Sequence, residues 1–141
     1  MNGYAKIVDA YLTQRIMSAS PEQQAALIME AGQLHLSKAI QALVQNDLPF
    51  ATQSFMRFSE VIMEANLRLN HEGGGELVQN LERYYGFWMK EVMHASYAKD
   101  QARLAAVAAS MGEIRQAWEQ LHEKKVKADP NLTFQLGDQV G

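Results

Sequence analysis

Residues 76–97 read ELVQNLERYYGFWMKEVMHASY. Val78, Leu81, Tyr85, Trp88, Val92 and Ala95 recur there in alternating steps of three and four, which places them on one stripe of an α-helix. The stretch is bounded on both sides. Gly73-Gly74-Gly75 before it is the one glycine-rich break in the chain and marks a loop. After it, Lys99-Asp100 makes a short turn, with Asp100 positioned to cap the next helix. That helix carries Leu104, Val107, Met111, Ile114, Trp118 and Leu121 on the same kind of stripe and runs to about Val126, before Asp129-Pro130 stops it.

Working back toward the N-terminus, a helix with Ala51, Phe55, Phe58, Ile62, Ala65 and Leu69 starts around Pro49 and ends near Asn70. The one before it opens at Ser20-Pro21-Glu22-Gln23, where Ser20 caps, Pro21 sits where a missing N–H costs nothing, and Gln23 completes a capping box. It runs to about Asn46 and carries Ile28, Leu36, Ala39 and Leu43 on a less regular stripe. Short connections between long helices force neighbours to run antiparallel. No alternating stretch long enough for a strand competes. The expected fold is an all-α, antiparallel up-down four-helix bundle over residues 1–127, with residues 1–19 as an N-terminal capping segment and 128–141 as a loose tail.

Composition narrows the function. With 141 residues the chain is long enough for one core without metal or disulfide staples. A net charge of -3 and a pI near 5.8 argue against a broad surface for nucleic acid or anionic lipid. The basic group Lys124, Lys125 and Lys127 suits the C-terminal end of a helix dipole. Cysteine is absent, so thiol chemistry is excluded and a reducing, cytoplasmic setting is the natural fit. Neither a membrane span nor a signal-peptide core is evident.

Several apolar residues lie off the stripes. The second helix adds Met56, Met63 and Leu67; the third adds Phe87, Met89 and Met93; the fourth carries a small-residue row, Ala105, Ala109 and Gly112. Eight methionines is a rich complement, and methionine suits surfaces that accept varied apolar partners. Two readings remain open: a wide core stripe, or an apolar groove receiving an amphipathic helix or extended peptide. Tyr4, Ile7, Val8, Tyr11, Leu12, Ile16 and Met17 form a further apolar set that either seals one bundle end or covers such a groove. Exposed apolar helices would also permit a homodimer.

One constellation suggests an enzyme. Glu91-Val-Met-His94 and Glu119-Gln-Leu-His122 match the Glu-x-x-His pair of di-iron bundles, with Glu30 and Glu64 available as further carboxylates. In an antiparallel pair turning near residue 99, the two motifs stand roughly 20 Å apart along the axis and cannot share a metal pair. His35 and His71 make no i,i+4 pair with another histidine, the glycine run lacks the Lys-Ser/Thr of a phosphate loop, and no nucleophile elbow is present. No catalytic residue, metal or cofactor is expected.

Tyr11, Ser18-Ala19-Ser20-Pro21, Gly74-Gly75-Glu76, Tyr84-Tyr85-Gly86-Phe87-Trp88 and Ile114-Arg115-Gln116-Ala117-Trp118 follow one another in an order that resembles the flagellar secretion chaperone FliS family. Tyr11 and Ser18-Ala19-Ser20-Pro21 are similar to its N-terminal tyrosine and helix start, and Leu27-Ile28-Met29-Glu30-Ala31 to its next conserved-type run. Gly74-Gly75-Glu76, Tyr84-Tyr85-Gly86-Phe87-Trp88, Ala95-Ser96 before Asp100, and Ile114-Arg115-Gln116-Ala117-Trp118 continue the likeness, which covers about residues 4–123. Met29, Ala31, Gly86 and Ser96 depart from it, standing where the family carries an aromatic, a glycine, a polar or acidic residue and an asparagine. The resemblance implies a chaperone that binds the disordered C-terminal segment of flagellin in the cytosol and hands it to the flagellar export gate. It assigns Tyr11, with Ile7 nearby, to an N-terminal element that moves or meets the gate. Met56, Met63, Leu67, Phe87, Ala105, Ala109 and Gly112, which lie off the core stripes, are then the expected client contacts. A non-flagellar interaction or scaffold module on the same bundle is the alternative.

Overall fold

The computed structural model describes residues 19–128. The expected N-terminal cover, including Ile7 and Tyr11, and the tail beyond Ala128 lie outside the described residues. Four helices make up the described chain: α1 (Pro21–Val44), α2 (Leu48–Leu67), α3 (Gly75–Ala98) and α4 (Gln101–Ala128). No strand occurs among the described residues, and the fold is an all-α bundle.

The helix ends follow local chemistry. At the start of α1 the capping box closes reciprocally: the Gln23 N–H donates to Ser20 Oγ at 3.1 Å and the Ser20 N–H to Gln23 Oε1 at 3.0 Å. α1 ends at Val44, slightly before the expected Asn46, because Asn46 turns into the left-handed region at φ 57°. Asp47 then caps α2 by accepting from the Phe50 N–H at 3.2 Å, with Pro49 inside the first turn. α2 stops at Leu67 rather than near Asn70. Asn70 instead organises the loop: its carbonyl accepts from the Gly74 N–H at 2.8 Å and its side chain from the Gly73 N–H at 3.0 Å. Gly75 enters α3 at φ +61°, a conformation that glycine adopts without a Cβ penalty. Lys99 at φ 54° ends α3, and Asp100 caps α4 through the Arg103 N–H at 3.0 Å.

The chain divides into two compact units. Ile28–Glu113 contains part of every helix and holds the main core. All six stripe residues of α3 are buried, and Trp88, Met29, Leu36, Phe58, Leu104 and Met111 have no exposed surface. Burying a side chain of this size stabilises the fold by roughly 1.5–3 kcal/mol. The Trp88 indole N–H is satisfied by Ser110 Oγ at 2.9 Å, linking α3 to α4. Gly32 lets α1 approach Met111 of α4 and Val61 of α2, and Gln33 Nε2 donates to the Ala108 carbonyl at 2.9 Å. Neighbours around the ring are therefore α1–α2, α2–α3, α3–α4 and α4–α1.

The second unit comprises the described parts of Met1–Leu27 and Ile114–Gly141. Ser20 Oγ donates to or accepts from His122 Nδ1 at 2.9 Å, and Lys125 pairs with Glu22, whose side chain is almost fully buried. Burial alone would raise the Glu22 carboxyl; the Lys125 hydrogen bond, a backbone N–H and the nearby Lys125 and His122 charges outweigh it and hold it below its ordinary value. The stripe expected through Leu121 weakens here. Ile114 and Trp118 are half-buried and Leu121 is exposed, since the described part of this unit offers only residues 19–27 to cover them. No described helix is long and apolar enough to cross a membrane.

Candidate functional site

The core stripes of α2 and α3 point inward, which leaves the flanks of the two helices facing each other across an open apolar groove. Its larger part, about 580 Å³, is lined by Phe55 and Met56 of α2 and by Met89, Met93 and Tyr97 of α3. A second part of about 430 Å³ follows, lined by Met63, Asn66, His71, Glu82, Gly86 and Met89. Met89 lines both parts. Met56, Met63 and Met93 keep 61%, 60% and 53% of their surface exposed, and Tyr97 85%. Exposed apolar surface gathered in one place makes this groove the candidate contact face.

Two hydroxyls in the groove are committed: Ser59 Oγ donates to the Phe55 carbonyl at 3.1 Å and Ser96 Oγ to the Met93 carbonyl at 2.7 Å, each within its own helix. Thr52, Lys90 and Tyr97 are the other polar side chains of its larger part. One end is clamped. His71 Nδ1 lies 2.5 Å from Glu82 Oε1 and Nε2 lies 2.8 Å from the Asn66 carbonyl oxygen. Both partners are acceptors, so both ring nitrogens must donate, which only the imidazolium can do. The Glu82 hydrogen bond, followed by that to Asn66, raises the His71 pKa accordingly.

The structure sorts the residues expected from sequence into three places. Met56 and Met63 share the α2–α3 groove, and Leu67, 76% exposed, stands at the end of α2. Phe87 lies on the other flank of α3, in a shallow depression with Asn80, Arg83 and Tyr84. Ala105 and Ala109 are exposed on α4, and Gly112 is half-buried with Gln33 of α1 lying over it. The small-residue row thus belongs to the α1 side of α4, apart from the methionines. Tyr97 was not singled out, although Met89, Met93 and Tyr97 follow one another at intervals of four, a second apolar row beside the core stripe.

The Glu-x-x-His motifs are engaged otherwise. Glu91 pairs with Arg103 at 3.4 Å, Glu119 with Arg115 at 3.2 Å, and His122 with Ser20. Ser20 Oγ also accepts the Gln23 N–H, so it serves as a helix cap. Among the described residues no group of three or more His, Cys, Asp or Glu side chains could hold a metal ion.

Fold and site together define an all-helical bundle that presents an apolar groove between α2 and α3. The profile of the flagellar protein FliS family matches residues 4–125, and the chain belongs to that family. It is 25% identical to the flagellar secretion chaperone FliS of Vibrio cholerae over 86% of this chain and 87% of that one. It is 26% identical to the FliS of Salmonella typhimurium, covering 77% of this chain and 82% of the relative. Against FliSB of Pseudomonas aeruginosa the identity is 26%, with 74% and 83% covered. All three relatives are named as flagellar secretion chaperones.

Proposed function

We propose that this protein is a flagellar export chaperone, acting in the cytoplasm without catalysis. Its client is the disordered C-terminal segment of a flagellin, which it keeps from polymerising early and delivers to the flagellar type III export apparatus. Membership of the FliS family supports the client class. The observation that carries the binding mode is the pair of adjoining apolar depressions between α2 and α3, with their exposed methionines.

The segment would gain apolar burial along this groove in return for the entropy lost on ordering. Methionine side chains repack around unlike apolar residues, which suits a client whose stripes are not a perfect helical repeat. Met56, Met63, Leu67, Phe87, Ala105, Ala109 and Gly112 are the proposed contacts. Their distribution over three faces fits a client that wraps the bundle and does not fill a single cleft. Ile7 and Tyr11 are assigned to the element that meets the export gate.

Calorimetric titration of the full chain with a synthetic flagellin C-terminal segment tests the reading. Saturable binding with a negative heat-capacity change is expected, the mark of apolar burial. Absence of heat and of chemical-shift change at roughly 50 µM of each partner, where micromolar affinity gives near-complete binding, refutes it.

A further inference from the structure

The methionines are not spread evenly. Of the six among the described residues, Met29 and Met111 are fully buried, and the other four, Met56, Met63, Met89 and Met93, all line the α2–α3 groove. Met56 and Met63 are two turns apart on α2, while Met89 and Met93 are one turn apart on α3. Three of the four have more than half their surface in solvent.

We infer that this quartet is an oxidation site through which hydroperoxides or hypochlorous acid switch off partner binding in the groove, and that methionine sulfoxide reductases restore it. With hydrogen peroxide, the thioether sulfur gives an electron pair to one peroxide oxygen. The O–O bond breaks, an S=O bond forms, and the second oxygen leaves as water, so sulfur is oxidised by two electrons and peroxide reduced by two. The product is a strong hydrogen-bond acceptor where a soft apolar contact had been. The groove is poorly equipped to pair it. The Ser59 and Ser96 hydroxyls already donate to their own helices, leaving Thr52, Lys90 and the Tyr97 hydroxyl as the other polar side chains in its larger part. A sulfoxide covered by an apolar partner therefore stays unpaired, and an unpaired buried polar group is penalised heavily. Met29 and Met111, sealed in the core, are shielded from the same oxidants.

The inference rests on the flagellin reading for its partner, and the test separates the two. The full chain is treated with graded hydrogen peroxide, mapped by mass spectrometry, and assayed in parallel for affinity toward a flagellin C-terminal segment and for fluorescence of the apolar dye ANS. Met56, Met63 and Met93 should convert before Met29 and Met111. Affinity should fall at least about tenfold and ANS signal should drop, with helicity unchanged by circular dichroism. Sulfoxide reductases A and B supplied with a dithiol, which is oxidised to its disulfide as the oxygen leaves as water, should recover both. The variant Met56→Leu/Met63→Leu/Met89→Leu/Met93→Leu keeps an apolar groove with no oxidisable sulfur, and the affinity it shows untreated should not fall further on peroxide treatment. Oxidised groove methionines with unchanged affinity and dye signal would overturn the inference, as would a leucine variant that stays equally sensitive, or oxidation of the core methionines first. Failure of the untreated chain to bind the segment would refute the flagellin reading alone, and the conversion order and dye signal would still decide the oxidation site.

Discussion

Gly86 and Gly32 both lie inside helices of the Ile28–Glu113 unit, yet replacing each with alanine should move stability in opposite directions. Alanine in a helix interior is better than glycine by about 1 kcal/mol, because the unfolded chain loses less freedom. At Gly86 an added Cβ has no neighbour within 4 Å, so Gly86→Ala should realise nearly the whole gain. For a chain of 141 residues, unfolding entropy of about 2.1 cal/mol/K per residue converts this to a Tm increase of about 3–4 °C.

At Gly32 the same methyl overlaps Met111 Cε and comes 3.5 Å from Val61 Cγ1. Met111 is fully buried, so it cannot swing into solvent, and overpacking of this kind costs about 1–3 kcal/mol. Set against the same helical gain, Gly32→Ala should end level with wild type or up to about 2 kcal/mol below it. The two variants should therefore differ by roughly 1–3 kcal/mol, read by urea unfolding followed by circular dichroism and by calorimetric Tm. Equal increases for both would mean that α1 and α4 do not approach at Gly32 as closely as described. A decrease for Gly86→Ala would mean that its surroundings are not open.

Ser110→Ala should leave the buried Trp88 N–H without an acceptor and cost about 1–3 kcal/mol in urea unfolding, and a loss below 0.5 kcal/mol, roughly the scatter for surface changes, would remove the hydrogen bond from the stabilising core. The His71 clamp should be pH-dependent in a defined direction: with its pKa raised above the ordinary 6.5, its contribution is complete below that value and is lost as pH rises through the raised one. Proton NMR should place the His71 titration above that of free histidine and Glu82→Gln should bring it down; an unshifted His71 would show that the clamp is open in solution. Ala109→Asp, on an exposed face of α4, should cost less than about 1 kcal/mol of stability while weakening binding of the flagellin segment, and an unchanged affinity would remove the Ala105–Ala109–Gly112 row from the interface.

The fold was legible where one local rule acted alone. The six-residue stripe from Val78 to Ala95 is buried throughout, and the caps at Ser20 and Asp100 close as their side-chain chemistry requires. Boundaries slipped where two local preferences competed. The α2 pattern extends to Leu69, but Asn70 offers its side chain and carbonyl to the glycine loop, and the helix yields at Leu67. His71 illustrates the same limit at the site. Nothing in its sequence neighbourhood announces a clamp, because its partner Glu82 is eleven residues on, across a loop whose path depends on Gly75 adopting a positive φ.

Apolar residues off the core stripe carry a second ambiguity, which periodicity cannot lift. Met56 on α2 and Ala109 on α4 are equally off-stripe, and from spacing alone both could line one groove. What separates them is the identity of the adjoining helix. Met56 looks across to α3, where Met89 and Met93 complete an apolar wall. The row holding Ala109 turns toward α1, where Gln33 spans from its own helix to the Ala108 carbonyl and lies over Gly112. That neighbour is polar and already bonded, so the α1–α4 face gives a partner a close backbone approach but little apolar surface, while the α2–α3 face gives the reverse. A client segment with bulky apolar residues therefore gains most between α2 and α3, and one with small residues packs best against α4. If one chain uses both faces, its bulky and small residues should fall in separate blocks along its sequence.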